Sequence, residues 1–144
     1  MAKIEYRAFT TELMEQVTRI YTDNGWTEYL TDPGRLKRAF ENSLFLLGAF
    51  REGELLGFIR CVGDGETVLY VQDLIVSPLW QRHGIGRELL RRVSERCPDV
   101  RQFLLITDRD DPVSNAFYAS VGMVADCHGY PVTAYFRDSH QGIG

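Results

Sequence analysis

The chain has few cysteines, no long hydrophobic run and no excess of basic residues, and each absence excludes a class of protein. Its three cysteines, Cys61, Cys97 and Cys127, are widely spaced and odd in number, which is atypical of a disulfide framework. No CxxC or Cys/His spacing predicts a metal site. No stretch is long enough to cross a bilayer, and residues 1–10 lack the apolar core of a signal peptide. We therefore expect reduced thiols, no bound metal, no membrane partner and a cytoplasmic location.

The acidic net charge limits the kinds of partner that we expect, and the chain length limits the number of domains. A formal net charge of −4 argues against a nucleic-acid partner, because nucleic-acid-binding proteins carry a basic surface. A chain of 144 residues, of which 44% are hydrophobic, is able to bury a substantial core. We expect one domain over residues 1–137, followed by a flexible tail over residues 138–144.

Hydrophobic periodicity and turn residues predict an α/β fold. Helical spacing of apolar residues begins after Thr10, after Asp32, within the Gly84–Gly86 segment and at Pro112. Strand patterns are found at residues 3–9, at "LFLLGAF", at "ELLGFIRCV", at residues 68–76, at "RQFLLITD" and at "TAYFR" (133–137). Arg51-Glu52-Gly53 predicts a tight hairpin. Since antiparallel strands precede a β-α-β-α half, we expect a mixed, mostly antiparallel central sheet flanked by helices.

A glycine-rich loop joins the strand at residues 68–76 to the following helix. It reads Gln81, Arg82, His83, Gly84, Ile85, Gly86 and Arg87. The string GxxxxGK[ST] is absent, and GxGxxG lacks its third glycine, so two nucleotide-binding loops fit poorly. The pattern [Gln/Arg]-x-x-Gly-x-[Gly/Ala] fits, because glycines let a pyrophosphate approach the backbone and the first helical N–H groups then face the anion. Arg82, His83 and Arg87 add local positive charge.

The segment "DLIVSPLWQRHGIGRELL" resembles the central motif of the GNAT family of N-acetyltransferases. A second family motif, an aromatic-Tyr pair followed by Gly and a hydrophobic residue, is matched by Phe117-Tyr118 and Gly122-Met123. The order of elements agrees with that family over residues 3 to 137. The resemblance implies acetyl-CoA as the donor, a small amine or a peptide amine as the acceptor, and direct transfer within a ternary complex. It is also compatible with a homodimer formed through the C-terminal strands.

The resemblance also implies roles for individual residues. The backbone of Leu74, Ile75 and Val76 would line the pantetheine and the acetyl group, and the loop from Arg82 to Arg87 would hold the pyrophosphate. Gln81, the first residue of the motif, is also expected to be a cofactor-binding residue. Tyr118 corresponds to the family's general acid, which protonates the departing thiolate. A phenol, with an ordinary pKa of about 10, is able to protonate the conjugate base of a thiol whose pKa is about 8.5. The alternative for Tyr118 is a packed aromatic residue beside Phe117.

Two positions depart from the family pattern. Asp111 stands seven residues before Tyr118, where many relatives have a cofactor-binding Asn; it is expected to cap the next helix, and Asn115 does not replace that Asn. In this respect the chain is similar to plant and cyanobacterial serotonin N-acetyltransferases. Gln72 stands where relatives often have a general base. Asp73 is therefore the candidate base, directly or through water, and its alternative is a strand carboxylate bonded to backbone or a tyrosine.

The remaining alternatives concern the acceptor and the activity itself. His128 and Tyr130 are possible partners behind Asp73, although a solvated loop role suits His128 as well. Tyr21, Trp26 and Tyr29 are interleaved with acidic residues, which suits a cationic amine and equally an aromatic core beneath an acidic surface. The departures at positions 72 and 111 leave a second hypothesis, a CoA-binding module with vestigial catalysis.

Overall fold

A computed structural model, which describes residues 3–137, shows a five-stranded sheet and five α-helices. The strands are β1 (Glu5–Ala8), β2 (Phe45–Arg51), β3 (Glu54–Gly63), β4 (Val68–Val76) and β5 (Gln102–Leu105). The helices are α1 (Met14–Asp23), α2 (Pro33–Glu41), α3 (Ile85–Arg96), α4 (Pro112–Ser120) and α5 (Asp126–Gly129). The strands lie in the order β1-β2-β3-β4-β5; the first four are antiparallel and β5 is parallel to β4. The predicted fold class is confirmed.

Local sequence signals account for the turns and helix starts. Glu52 and Gly53, at φ values of 51° and 82°, form the predicted tight connection between β2 and β3. The Asp32 side chain accepts a hydrogen bond from the Arg35 N–H and caps α2, which begins at Pro33. Because these signals act within a few residues of each other, they are readable without knowledge of the tertiary structure.

A β-bulge in β4 shifts the alternation of its side chains, so residues two positions apart on either side of the bulge face opposite sides of the sheet. Arg60 of β3 pairs with Asp73, but the next residue, Cys61, pairs with Val71, so Gln72 is the extra residue of the bulge. Val71 therefore faces the side covered by α3, whereas Asp73 faces the side covered by α1 and α2. A strand without a bulge would place both side chains on one face.

The core fills both sides of the sheet. On one side, Phe58 and Ile75 pack against a set of buried residues from α1 and α2, namely Val17, Ile20, Tyr21, Leu36 and Phe40. On the other side, the buried residues Ile85, Leu89, Leu90 and Val93 form the inward stripe of α3, which packs on β2, β3 and β4. Cys61 is fully buried on this side, and burial raises the pKa of its thiol to about 12, so the thiol stays protonated near neutral pH.

The chain divides into two compact units, Met1–Leu105 and Ile106–Gly144. The first contains the sheet with α1, α2 and α3, and the second contains α4 and α5. The expected strand at residues 133–137 is wrong: residues 131–137 form neither helix nor strand. Aromatic residues favour strands where they pack on a half-buried surface, and Tyr135 is 91% exposed. The expectation of one domain over 1–137 stays a prediction, and the tail at 138–144 lies outside the described residues.

Within residues 3–137, every helix is too short or too polar to span a bilayer.

Candidate functional site

One side of β4 is left open where the strand approaches the glycine loop. β5 pairs with β4 only from Val68 to Val71, so residues 72–76 have no strand partner on that side in the part of the chain that the structure describes. Backbone N–H and C=O groups are obligatory hydrogen-bonding groups. The open half of β4 therefore offers polar backbone to a ligand.

The pairing with β3 decides which backbone groups of β4 face the open side. The Ser77 N–H donates to the Leu56 carbonyl at 2.7 Å, so these two residues form a hydrogen-bonded pair of the antiparallel ladder. Such pairs alternate, and Ile75 thus points its N–H and C=O toward β3. Leu74 and Val76 point theirs toward the open side. Of the three residues expected to line the pantetheine, these two are the ones with backbone groups available there.

The Val76 carbonyl is already occupied by two side-chain amides. Asn24 Nδ2 and Gln81 Nε2 each donate to it at 3.1 Å, and Gln81 Nε2 also donates to Asn24 Oδ1 at 3.1 Å. A carbonyl oxygen only accepts hydrogen bonds, so both amides must present their NH₂ groups to it. The side chain of Gln81, expected from the motif to contact the cofactor, is directed at the protein in this structure.

The glycine loop leads directly into the N-terminus of α3. Gly84 has a φ of 79°, and a Cβ there would meet no described atom within 4 Å apart from Gly84 itself and the adjoining backbone. The first helical hydrogen bond runs from the Glu88 N–H to the Gly84 carbonyl, so the N–H groups of Ile85 and Gly86 precede it. The buried Ile85 side chain anchors this turn against the sheet. The arrangement is that of an anion-binding helix N-terminus.

The charges around the loop favour an anion despite the acidic total. Arg82, His83 and Arg87 are all exposed. Arg82 has a φ of 67°, an uncommon conformation for a non-glycine residue that holds it at the loop surface. Glu88 stands in the first turn of α3, where its charge would repel an anion. Hydrogen bonds from Arg91 and Arg92 hold the pKa of Glu88 down at about 2 and compensate its charge.

The His83 imidazole is folded back on its own loop. Its Nδ1 lies 3.1 Å from the Trp80 carbonyl and 3.0 Å from the Gln81 carbonyl. Since carbonyl oxygens cannot donate, Nδ1 carries the hydrogen and Nε2 is the nitrogen left for a ligand.

A buried network surrounds Asp73 on the other face of β4. Asp73 is 1% exposed, and its Oδ2 accepts from Arg60 Nε at 2.7 Å and from the Tyr21 hydroxyl at 2.8 Å. Its Oδ1 is buried without a hydrogen-bond partner among residues 3–137. Burial, followed by the Asp73 charge, raises the pKa of Tyr21 far above the ordinary value, so this phenol stays protonated. The alternative expected for Asp73, a carboxylate bonded to a tyrosine, describes these contacts.

An aromatic cluster lies beside this carboxylate. The Tyr21 ring stacks on Tyr29 at 4.8 Å and on Trp26 at 6.1 Å between ring centroids. Gln72, the bulge residue, donates from Nε2 to the Tyr29 hydroxyl at 3.2 Å. Burial and the nearby Asp73 charge raise the pKa of Tyr29 to about 12. Tyr21 is buried and Trp26 is 38% exposed, so the cluster runs from the core to the surface.

The second unit holds the other expected residues. Tyr118 lies on α4 with its ring centroid 5.2 Å from that of Phe117. Asp111 caps α4 as expected, accepting from the Ser114 N–H at 3.0 Å, and this bond lowers the pKa of Asp111. Asn115 Nδ2 donates to the Asp111 carbonyl at 2.7 Å, a contact within the same helix. His128 and Tyr130 are exposed. The roles expected for Tyr118, His128 and Tyr130 stay predictions.

Sequence reasoning missed two residues of the first unit. Arg60 interrupts the apolar run "LLGFIRCV", and a charged residue inside a buried strand signals a buried counter-ion. Asn24 stands with Gly25 at the end of a helical pattern, and no local signal indicates its contacts with Val76 and Gln81, which lie 52 and 57 positions further along the chain.

Among the described residues, no group of three or more His, Cys, Asp or Glu side chains is arranged to hold a metal ion.

Comparison with known proteins shows which family the chain matches. Residues 8–123 match the family model described as "Acetyltransferase (GNAT) family". An "Uncharacterized N-acetyltransferase ycf52-like" protein of Prochlorococcus marinus is 31% identical over 101 residues, which are 66% of this chain and 54% of that protein. The chain spans about half the length of the curated relatives that it matches.

Solved structures share the fold over nearly the whole chain. A GNAT family acetyltransferase from Streptococcus pneumoniae is 30% identical, with a TM-score of 0.79 over 98% of this chain and 100% of the other. The aminoglycoside N-acetyltransferase AAC(6')-Iy, solved in complex with CoA, is 13% identical, with a TM-score of 0.76 over 96% of each chain. At 13% identity the likeness concerns the fold alone.

Proposed function

Because the chain belongs to the GNAT family of acetyltransferases, we propose that it transfers an acetyl group from acetyl-CoA to an amine within a ternary complex. One observation carries the proposal: the open half of β4 runs directly into a glycine loop and the N-terminus of α3. A strand with free backbone groups suits the amide groups of pantetheine. The adjoining helix N-terminus suits a pyrophosphate.

The donor site is proposed to extend from the helix to the strand. The N–H groups of Gly86 and its neighbours in the loop would hold the pyrophosphate, with Arg82, His83 and Arg87 supplying positive charge. The backbone groups of Leu74 and the N–H of Val76 would bind the pantetheine, because they face the open side, whereas the Val76 carbonyl already accepts from Asn24 and Gln81. Ile75 lies between these two residues and would form part of the same pantetheine-binding segment of β4.

The reaction requires three proton movements besides the bond changes: an ammonium nitrogen loses one proton before it attacks and a second as the amide forms, and the departing sulfur gains one. The amine nitrogen forms a bond to the acetyl carbon, and the bond from that carbon to sulfur breaks. Tyr118 is proposed to give its phenolic proton to the departing sulfur, and the second proton of the nitrogen would restore the phenol. The acceptor must also lose a proton, because an amine with a pKa of about 10.4 arrives as an ammonium ion at neutral pH.

Asp73 is proposed to receive the proton of the acceptor. Its Oδ1 has no hydrogen-bond partner among the described residues, so this oxygen is the one available to take a proton. Asp73 is 1% exposed, which favours transfer through water rather than direct contact. The ion pair with Arg60 engages the other carboxylate oxygen, Oδ2, at 2.7 Å.

The acceptor is proposed to be a cationic amine that approaches along the aromatic cluster of Tyr21, Trp26 and Tyr29. Aromatic faces attract ammonium groups, and the Asp73 carboxylate lies behind the rings. A small amine and a peptide amine both satisfy these requirements. The similarity to serotonin N-acetyltransferases adds arylalkylamines to the candidates.

The donor site is tested by ligand-dependent stability. Thermal unfolding should be measured with CoA, acetyl-CoA, ATP and NAD, and only the first two are expected to stabilise the protein. A ligand present at 100 times its Kd should add about 2.7 kcal/mol to the free energy of unfolding. Stabilisation by ATP or NAD, but not by CoA, would indicate a nucleotide-binding protein and contradict the proposal.

Activity is tested by release of the CoA thiol from acetyl-CoA with arylalkylamines, polyamines, aminoglycosides and peptides. We expect release with at least one cationic amine. Binding of acetyl-CoA without release with any acceptor would favour the alternative of a CoA-binding module.

Replacing Gly84 with alanine should weaken CoA binding several-fold. An L-residue at a φ of 79° is strained by about 1–2 kcal/mol, so the loop would relax and its N–H groups would turn away from the anion. Gly53→Ala is the matched control, because Gly53 has a φ of 82° and equally open space around its Cβ position. Both variants should lose similar stability in urea unfolding, but only Gly84→Ala should bind CoA less tightly in calorimetry. Equal CoA affinities would exclude the loop from the donor site.

A further inference from the structure

Asn24, Gln81 and the Val76 carbonyl form a three-membered hydrogen-bonded group, which we call the Asn24 clasp. Asn24 is the last-turn cap of α1, Val76 ends β4, and Gln81 opens the glycine loop. The three bonds that join them are each 3.1 Å long. The clasp thus joins three elements at the entrance of the proposed donor site.

The contacts of Asn24 exceed those of a helix cap. Asn24 Nδ2 donates to the Ile20 carbonyl at 2.9 Å, a bond within its own helix. Asn42 ends α2 in the same way, donating from Nδ2 to the Arg38 carbonyl at 2.7 Å. Asn24 additionally reaches Val76 and Gln81, whereas the bonds of the Asn42 side chain that the structure describes stay within its helix.

The clasp acts on a residue whose backbone N–H and C=O face the proposed donor site. In a strand, the N–H and C=O of one residue point to the same side, so the Val76 N–H shares the open side with its carbonyl. The two amides fill that carbonyl and fix the orientation of the residue. The direction of the Val76 N–H is therefore fixed before a ligand binds at the open side.

We propose that Asn24 and Gln81 are positioning residues for acetyl-CoA that act through Val76 and the glycine loop without touching the reacting atoms. This inference rests on the proposed function. The clasp fixes the position of β4, which would bind pantetheine, relative to the glycine loop, which would bind pyrophosphate. Preorganising two parts of a binding site lowers the cost of ordering them when the ligand binds.

The clasp is tested by acetyl-CoA affinity in Asn24→Ala, Gln81→Met and the double variant, with Asn42→Ala as the matched control. We expect each clasp variant to raise the Kd, measured by calorimetry, and the KM by about five- to tenfold, with kcat changed less than twofold. Asn42→Ala should leave both constants unchanged, although it loses the same helix-capping bond. The double variant should be scarcely worse than either single variant, because both amides serve one carbonyl.

The outcomes separate this inference from the proposed function. If the wild-type protein binds neither CoA nor acetyl-CoA, the proposed function fails. If the wild-type protein binds acetyl-CoA and the clasp variants bind it as tightly as Asn42→Ala does, the clasp inference alone is overturned. Additive losses in the double variant would also overturn it, since they would mean two independent contacts. Gln81 is exposed, so Gln81→Met keeps the test decisive even if Asn24→Ala unfolds.

Discussion

Tyr118→Phe should lower kcat for acetyl transfer by about 10²- to 10⁴-fold, the usual contribution of a positioned general acid. Phenylalanine keeps the ring that packs beside Phe117 and removes only the hydroxyl that would protonate the departing sulfur. Because that hydroxyl would act in the transition state, the Kd for acetyl-CoA should change less than threefold. Single-turnover kinetics with saturating acetyl-CoA and calorimetric binding measure the two quantities separately.

Tyr135→Phe is the control for the loss of a phenol in the same unit. Tyr135 is 91% exposed, and its hydroxyl has no role in the proposed mechanism, so activity should be unchanged. A Tyr118→Phe variant with the kcat of the wild type would remove Tyr118 from the mechanism and leave another group to protonate the sulfur. A raised Kd with unchanged kcat would instead assign Tyr118 to donor binding.

Arg60→Met should lower the free energy of unfolding by about 3–5 kcal/mol, the cost of breaking a buried ion pair by removing one partner. Asp73 is 1% exposed, and the variant removes its charged partner while the bond from the Tyr21 hydroxyl stays. Methionine fills much of the volume of the arginine side chain, which restricts the loss largely to charge and hydrogen bonding. Urea unfolding at neutral pH gives the difference.

Two further variants show whether the buried charge is the cause. Arg91→Met removes arginine from an exposed network with Glu88 and Glu95 and should cost much less stability than Arg60→Met, because water screens exposed ion pairs. Arg60→Met combined with Asp73→Asn leaves no buried charge and should be more stable than Arg60→Met alone. Equal losses for Arg60→Met and Arg91→Met would show that the buried pair carries no special stability.

Several parts of the site were predictable because their signals are local. The loop conformation at Gly84 follows from glycine beside a helix start, and the cap by Asp111 follows from Asp-Pro before apolar residues. The hairpin at Glu52 and Gly53 belongs to the same class. In each case the interacting atoms lie within about four residues of each other. The sequence pattern therefore specifies the local geometry directly.

Other parts depend on contacts between distant segments. The motif indicated that Gln81 contacts the cofactor, but its side chain meets Asn24 and Val76. Alternation along β4 does not reveal the bulge at Gln72, because the bulge is defined by the register with β3. The sequence indicated Asp73 as a candidate base, but it did not indicate that the carboxylate pairs with Arg60 and Tyr21.

The order of residues alone determined the family motif, the helix and turn boundaries and the mixed sheet, since short-range propensities and spacing specify them. The tertiary structure decided the partners of the polar side chains. A bulge of one residue turned Asp73 toward α1, and the packing of α1 on β4 brought Tyr21 to Asp73 and Asn24 to Val76. Hydrogen bonds form only where folding brings donor and acceptor to within about 3 Å, and that distance is set by packing across the whole sheet.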